Sequence, residues 1–264
     1  MTLDEGFQVS LFGRSIAVLS ECREALDYLN CFVAPWLPRT VPDPKNAEML
    51  FRVAQAAEGG RFDAFQNERR IASNDTLTAI FGTMQCSIDE RVVHGLRDLV
   101  AVHAGVVAWR GRVAVLPGSS QTGKTTLVRE LLKKGAAYLS DEYALIDGEG
   151  RVHAYPRALM PRNGDGRQTP ETAPSQSLVD GRAEPPGLVV SAAWGSGERW
   201  GVNRIPQSEA LLLLLKNTPH EIAERPEIVD PLRRAVSLAE CYAGVRGDAE
   251  EAAGRLLGLL QDLA

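Results

Sequence analysis

Cysteine is scarce and unpatterned in this chain: only Cys22, Cys31, Cys86 and Cys241 are present, with no CxxC pair and no zinc-like spacing, which excludes a disulfide scaffold and a zinc site. Long hydrophobic runs are also missing. The longest, Ala210 to Leu215, is far too short to cross a bilayer, and no secretory apolar region follows Met1-Thr-Leu-Asp-Glu. The expectation is a cytoplasmic protein with reduced, buried thiols and no membrane partner. Positive charge is not in excess either: 29 basic against 34 acidic residues leave a net charge of −5, so no broad field draws a polyanionic backbone and nucleic acid is excluded as a partner. There is no internal repeat. What remains is a chain of 264 residues whose hydrophobic share of 44% is ordinary for a protein with a sizeable core.

Against that background one motif stands out. Val113-Ala-Val-Leu-Pro-Gly-Ser-Ser-Gln-Thr-Gly-Lys-Thr-Thr-Leu-Val128 sets Gly118 and Gly123-Lys124-Thr125 at the GxxxxGK[ST] spacing, between an apolar strand pattern and a helical one. In such a loop successive backbone N–H groups turn inward around phosphate oxygens, and the following helix offers its N-terminal donors and positive dipole end to the same anion. The expected nucleotide-binding residues are Gly118, Ser119, Ser120, Gln121, Thr122, Gly123, Lys124, Thr125 and Thr126. Lys124 reaches the β- and γ-phosphates and the Thr125 hydroxyl ligates Mg²⁺. The implied ligand is a polyphosphate nucleotide with Mg²⁺.

The rest of the chain reads as a strand pair from Phe7 to Leu19 about Phe12-Gly13-Arg14, then a helix from Glu21 to Leu29 capped by Ser20. Met49 to Ala54 reads as a strand. Asp75 to Leu99 holds one or two helices, with Gly82 as the suspected break. Leu99 to Trp109 and Val113 to Leu116 read as a hairpin about Arg110-Gly-Arg112, and Gly135 stops the helix from Thr125 to Lys134. Ala136 to Leu139 is the next strand. Pro156 to Pro186 reads as a loop of about thirty residues, a length typical of lids or mobile segments. Leu188 to Trp194 and Arg199 to Ile205 read as a second hairpin about Gly195-Ser-Gly197. The C-terminal part reads as mostly helical, with Ser208 capping Glu209 to Lys216, Asp230-Pro231 starting a helix to Leu238, and Asp248 with Glu251 opening a last one to Leu263.

A strand-helix-strand unit binds ligands at the carboxyl ends of its strands, so Asp141 and Glu142 are expected beside the glycine loop. With Thr125 they are the candidate metal ligands, and Asp141 is also the candidate acceptor of a substrate hydroxyl proton. His103, about ten residues before the loop's strand, is a candidate for the same site across the hairpin. Arg157 and Arg162 are candidate phosphate clamps. Trp194, Trp200 and Leu211 to Leu215 read more simply as core or interface.

Taken together, His103-Ala-Gly, the LPGSSQTGKTTL loop and Lys134-Gly-Ala-Ala-Tyr-Leu-Ser-Asp-Glu142 resemble the catalytic domain of HPr kinase/phosphorylase, whose P-loop architecture is shared with phosphoenolpyruvate carboxykinase. The resemblance extends through Pro156 to Pro161, Ser208-Glu-Ala-Leu-Leu and Tyr242-Ala-Gly-Val-Arg-Gly-Asp248, and so covers residues 90 to 260. It implies an α/β fold with a P-loop kinase core over 91–264, an N-terminal α+β region over 1–90, and a homo-oligomer. By resemblance, His103 and Asp141 cooperate in catalysis with Lys124. The ATP γ-phosphate then passes to a serine or other hydroxyl of a protein, peptide or small molecule. Glu142 stands where the family has a second Asp, and the signature associated with phosphorolysis is not found, so a kinase without phosphorylase activity is expected. The alternative is a nucleotide-binding regulatory or scaffold protein that performs no transfer.

Overall fold

A computed structural model describes residues 5–56, 60–119, 122–162, 168–172 and 183–263. The chain is an α/β protein with two mixed sheets, and it divides into two compact units: residues 1–96 with 156–172, and residues 97–155 with 173–264.

The first unit is built on a five-stranded sheet in the order β1 (Glu5–Leu11), β2 (Arg14–Ser20), β3 (Met49–Gln55), β4 (Phe62–Gln66), β5 (Arg69–Asn74). Only the β2–β3 pair is parallel, and its crossover carries helix α1 (Arg23–Phe32). Ser20 does not cap α1: its hydroxyl donates to the Val53 carbonyl across the sheet at 2.7 Å, and the N-cap position falls to Cys22. Helix α2 (Leu77–Gly95) is one unbroken element despite Gly82. The Thr76 hydroxyl caps it, and Ile80, Phe81, Met84 and Ile88 form its buried face. The β4–β5 hairpin was not anticipated. It turns at Asn67, a residue type that tolerates the positive φ of 55° found there.

Residues 156–161, expected as the start of an open loop, are instead buried within the first unit. Leu159 bridges to Glu171, and Arg157 donates to Asp89 of α2 at 2.8 Å. Two stretches of the expected loop, 163–167 and 173–182, lie outside the described residues.

The second unit holds an eight-stranded mixed sheet. Its path runs β10 (Val152–His153), β9 (Tyr143–Asp147), β6 (Leu99–Trp109), β7 (Arg112–Pro117), β11 (Pro186–Trp194), β13 (Glu240–Arg246), β12 (Gly201–Arg204), and β8 (Ala137–Ser140) also pairs with β6. Strand β7 is apolar because it is central, with β6 antiparallel on one edge and β11 parallel on the other. The expected hairpin of β11 with β12 does not form. Strand β13, read from sequence as part of a helical region, inserts between them, parallel to β11 and antiparallel to β12.

Helix α3 (Lys124–Lys133) follows β7 and packs so closely on β6 that a Cβ on Gly105 would meet Val128 Cγ2 at 2.7 Å. The remaining α-helices among the described residues are α4 (Gln207–Lys216), α5 (His220–Ala223), α6 (Val229–Ser237) and α7 (Ala249–Asp262). Pro206, and not Ser208, holds the N-cap position of α4, whereas Asp248 caps α7 by accepting from the Glu250 and Glu251 amides at 2.8 and 3.0 Å. No helix among the described residues is long and apolar enough to cross a membrane.

Candidate functional site

The site begins with one long strand. Strand β6 pairs with β7 along one edge, while along the other β8 and β9 follow one another as antiparallel partners. Between β8 and β9 the ladder breaks at Asp141-Glu142, opposite Ala104 and Gly105 and next to His103, and β7 ends at Pro117 opposite Ala104. A register shift where β8 pairs with Val106 and Val107 of β6 adds a bulge, a device that re-aims side chains at a strand end. The glycine loop, the acidic pair and His103 therefore meet at one strand edge. Two backbone hydrogen bonds join them: Gly118 N–H to the His103 carbonyl at 3.2 Å, and Ala104 N–H to the Glu142 carbonyl at 3.0 Å.

The loop itself requires its glycines. Gly123, the N-cap of α3, has φ +81°, and a Cβ there would lie 2.6 Å from Arg246 Nη2. A Cβ on Gly118 would lie 2.8 Å from Thr122 Oγ1, whose hydroxyl donates to the Ser119 carbonyl at 2.8 Å. Lys124 folds over the loop and donates from Nζ to the Gly118 and Ser119 carbonyls at 2.7 and 2.8 Å. Burial holds the Lys124 ammonium below the usual lysine range, with the Glu142 and then the Asp141 carboxylate opposing that shift. Thr126 is exposed in the first turn of α3; Ser120 and Gln121 lie outside the described residues.

Asp141 is buried, and both its oxygens are engaged. Oδ2 accepts from Thr125 Oγ1 at 3.0 Å, and Oδ1 accepts from the Tyr138 hydroxyl at 3.0 Å. Glu142 turns to another neighbour, with Oε1 3.4 Å from His103 Nδ1. The His103 ring lies against Tyr143, centroids 4.7 Å apart, and Tyr143 meets Tyr155 edge-on. The bend that separates the two acids is fixed by buried Ser140, whose hydroxyl accepts from the amides of Glu142 and Tyr143 at 3.1 and 3.0 Å. Neither Tyr138 nor Ser140 carries a sequence signal beyond its closeness to the acidic pair.

Beyond β11 on the other side of β7, Arg246 ends β13; sequence reasoning missed it as a site residue because its strand lies unassigned between two expected helices. It is 1% exposed and donates to the Gly123 carbonyl at 2.9 Å and to the Gly247 carbonyl at 3.2 Å. Its Nε has no hydrogen-bond partner among the described residues. Burial lowers its pKa, partly opposed by Asp248. Arg246 and Lys124 together line a cavity of about 40 Å³ with Gly118, Thr122 and the β11 segment Val190 to Ala193.

Several expectations are corrected here. Arg157 belongs to the first unit, buried against Asp89, and is not an exposed clamp. Of the core and interface readings of Trp194, its 56% exposure removes only the core one, and Trp200 is half-buried. Among the four free thiols only Cys241 is buried; Cys31 and Cys86 are exposed.

No known family model matches this chain, and no curated protein does. The reading of the site therefore rests on its own chemistry. Among the described residues no group of three or more His, Cys, Asp and Glu side chains forms a self-contained metal cage. Two hard oxygen donors do sit together, Thr125 Oγ1 and Asp141 Oδ2. They lie 3.0 Å apart, joined by a hydrogen bond, and a hydroxyl with a carboxylate is the kind of oxygen pair that hard divalent cations take. That donor set fits a metal sharing its coordination with ligand phosphates.

Proposed function

We propose that this chain is a P-loop phosphotransferase that moves the γ-phosphate of MgATP to a hydroxyl group, as its resemblance to HPr-kinase-like proteins implies. The observation that carries the reading is the contact of Thr125 with Asp141 at the head of α3, directly behind a loop whose lysine is already folded over it. The backbone donors from Gly118 to Thr126 would hold the phosphates, and Lys124 would neutralise charge on the transferring group. Thr125 and Asp141 would hold a Mg²⁺, whose chemistry there would be to stabilise the charge that develops on the transferring phosphate.

Each acid then has its own task. Asp141 anchors the metal side, because both of its oxygens are already aimed inward. His103, with Glu142 at its Nδ1, stands on the acceptor side, where it orients the incoming hydroxyl and takes its proton. This departs from the reading in which Asp141 is the base and Glu142 a metal ligand. The acceptor is a serine or other hydroxyl of a protein, peptide or small molecule.

The test is transfer from γ-labelled ATP to candidate hydroxyl acceptors. Lys124→Ala is expected to lower transfer by at least about a hundredfold; an unchanged rate removes the assignment. Glu142→Gln is expected to lower kcat with little change in nucleotide affinity, whereas Asp141→Asn is expected to weaken Mg²⁺-dependent binding as well. Tight MgATP binding with neither transfer nor hydrolysis would make the protein a nucleotide sensor instead.

A further inference from the structure

The acidic edge and the loop fix one end of a ligand, and the sheet order says where the other end must go. Asp141, Glu142 and His103 all lie on the β6 side of β7, so a terminal phosphate directed at them leaves the rest of a nucleotide to extend past the loop toward β11 and β13. At the C-terminal end of β11, on that side, stands Trp194. It is 56% exposed, an unusual state for the largest apolar side chain. Its Cβ lies 3.5 Å from the point a Cβ on Gly123 would occupy, so it flanks the first turn of α3.

Trp194 pairs in register with Arg246 on parallel β13, so both side chains project from the same face of the sheet. Arg246 is held against the Gly123 carbonyl, is almost fully buried and has an Nε with no hydrogen-bond partner among the described residues. The Trp194 Cβ lies beside the first turn of α3 and a buried guanidinium reaches the same glycine, both on the side away from the acids. This arrangement supplies an aromatic face and a positive field for a planar, electron-rich group attached to the phosphates.

We propose that Trp194 is the platform on which the base of a nucleoside triphosphate stacks, making this a site for nucleotides and not for inorganic polyphosphate or phosphorylated metabolites lacking a ring. The proposal rests on the phosphate-loop reading above. It adds to it the specificity-determining contact.

The experiment is titration calorimetry of the full chain with MgATP and with magnesium tripolyphosphate, comparing wild type, Trp194→Ala and Trp194→Phe. Loss of one stacked base is expected to weaken MgATP binding by about tenfold in Trp194→Ala, with tripolyphosphate affinity unchanged and most of the loss restored in Trp194→Phe. Equal weakening of both ligands would mean that Trp194 merely props the loop, and it would overturn the proposal. An unchanged MgATP affinity in Trp194→Ala would overturn it too, with the phosphate reading left standing. Binding of neither ligand by wild type would end both readings.

Discussion

Arg157 in the first unit and Arg246 in the second are both almost fully buried, at 6% and 1% exposure, yet their surroundings differ in kind. Arg157 faces a carboxylate: Asp89 accepts at 2.8 Å and is itself held by the Gln85 amide at 2.6 Å. That charge is neutralised inside the protein, and the pair fastens the segment from Pro156 onward to α2. Arg246 instead donates to main-chain carbonyls and keeps one nitrogen without a partner among the described residues. Lys124 likewise turns its ammonium to carbonyl oxygens of the loop. A buried cation matched by an acid is architecture; a buried Arg246 and a half-buried Lys124 that both turn to main-chain carbonyls beside a glycine loop leave positive charge there that an anion would balance.

The contrast breaks most readily at Asp89. Asp89→Ala leaves the Arg157 charge buried without its acid and is expected to cost about 3–5 kcal/mol in denaturant unfolding, much of it recovered in Asp89→Leu/Arg157→Met. A loss below about 1 kcal/mol would mean the pair is not buried in solution. The next test concerns thiols. Burial pushes Cys241 up to about 11, whereas Cys31 and Cys86 are exposed, so at pH 8 Cys241 should alkylate at least about a hundredfold more slowly, read by mass spectrometry of labelled peptides. Because its folded pKa lies above the ordinary value of 9.0, the Cys241 contribution to stability is complete below about pH 9 and is lost as pH rises through about 11.

Arg246→Met sharpens the comparison from the other side. It should change unfolding free energy by no more than about 1 kcal/mol, since a poorly compensated charge is removed, while MgATP affinity falls by about tenfold in calorimetry. Equal damage to folding and binding would make Arg246 a structural brace like Arg157. The smallest effect belongs to Asp248→Ala, which removes the cap of α7 and should cost about 1 kcal/mol in the same unfolding assay, with MgATP affinity preserved.

Much of the second unit's loop and its flanks was legible in the chain, because local rules govern it. The spacing from Gly118 to Thr125, the apolar strand before it, the stop at Gly135 and the cap at Asp248 each depend on a few neighbouring residues. The closeness of Asp141 to Thr125 followed from strand-helix-strand topology, even though β6 intervenes between the two strands. The failures have a shared cause. Strand β13 carries a glycine, a tyrosine and charges at both ends, so no alternation marks it, and it became a strand only because β11 and β12 flank it. Ser20 and Ser208 have the chemistry of caps, yet the N-cap positions fall two residues away, at Cys22 and Pro206.

The sequence by itself determined that a glycine-bracketed turn leads into a helix and that two acids follow the next strand, because backbone freedom and helix-terminal donors are encoded within a dozen residues. Only the tertiary structure decided that Asp141 points to Thr125 while Glu142 points to His103, that Arg246 reaches the Gly123 carbonyl from a distant strand, and that Arg157 belongs to the other unit's core. These choices depend on strand order, register and burial, which long-range packing sets and no local spacing contains.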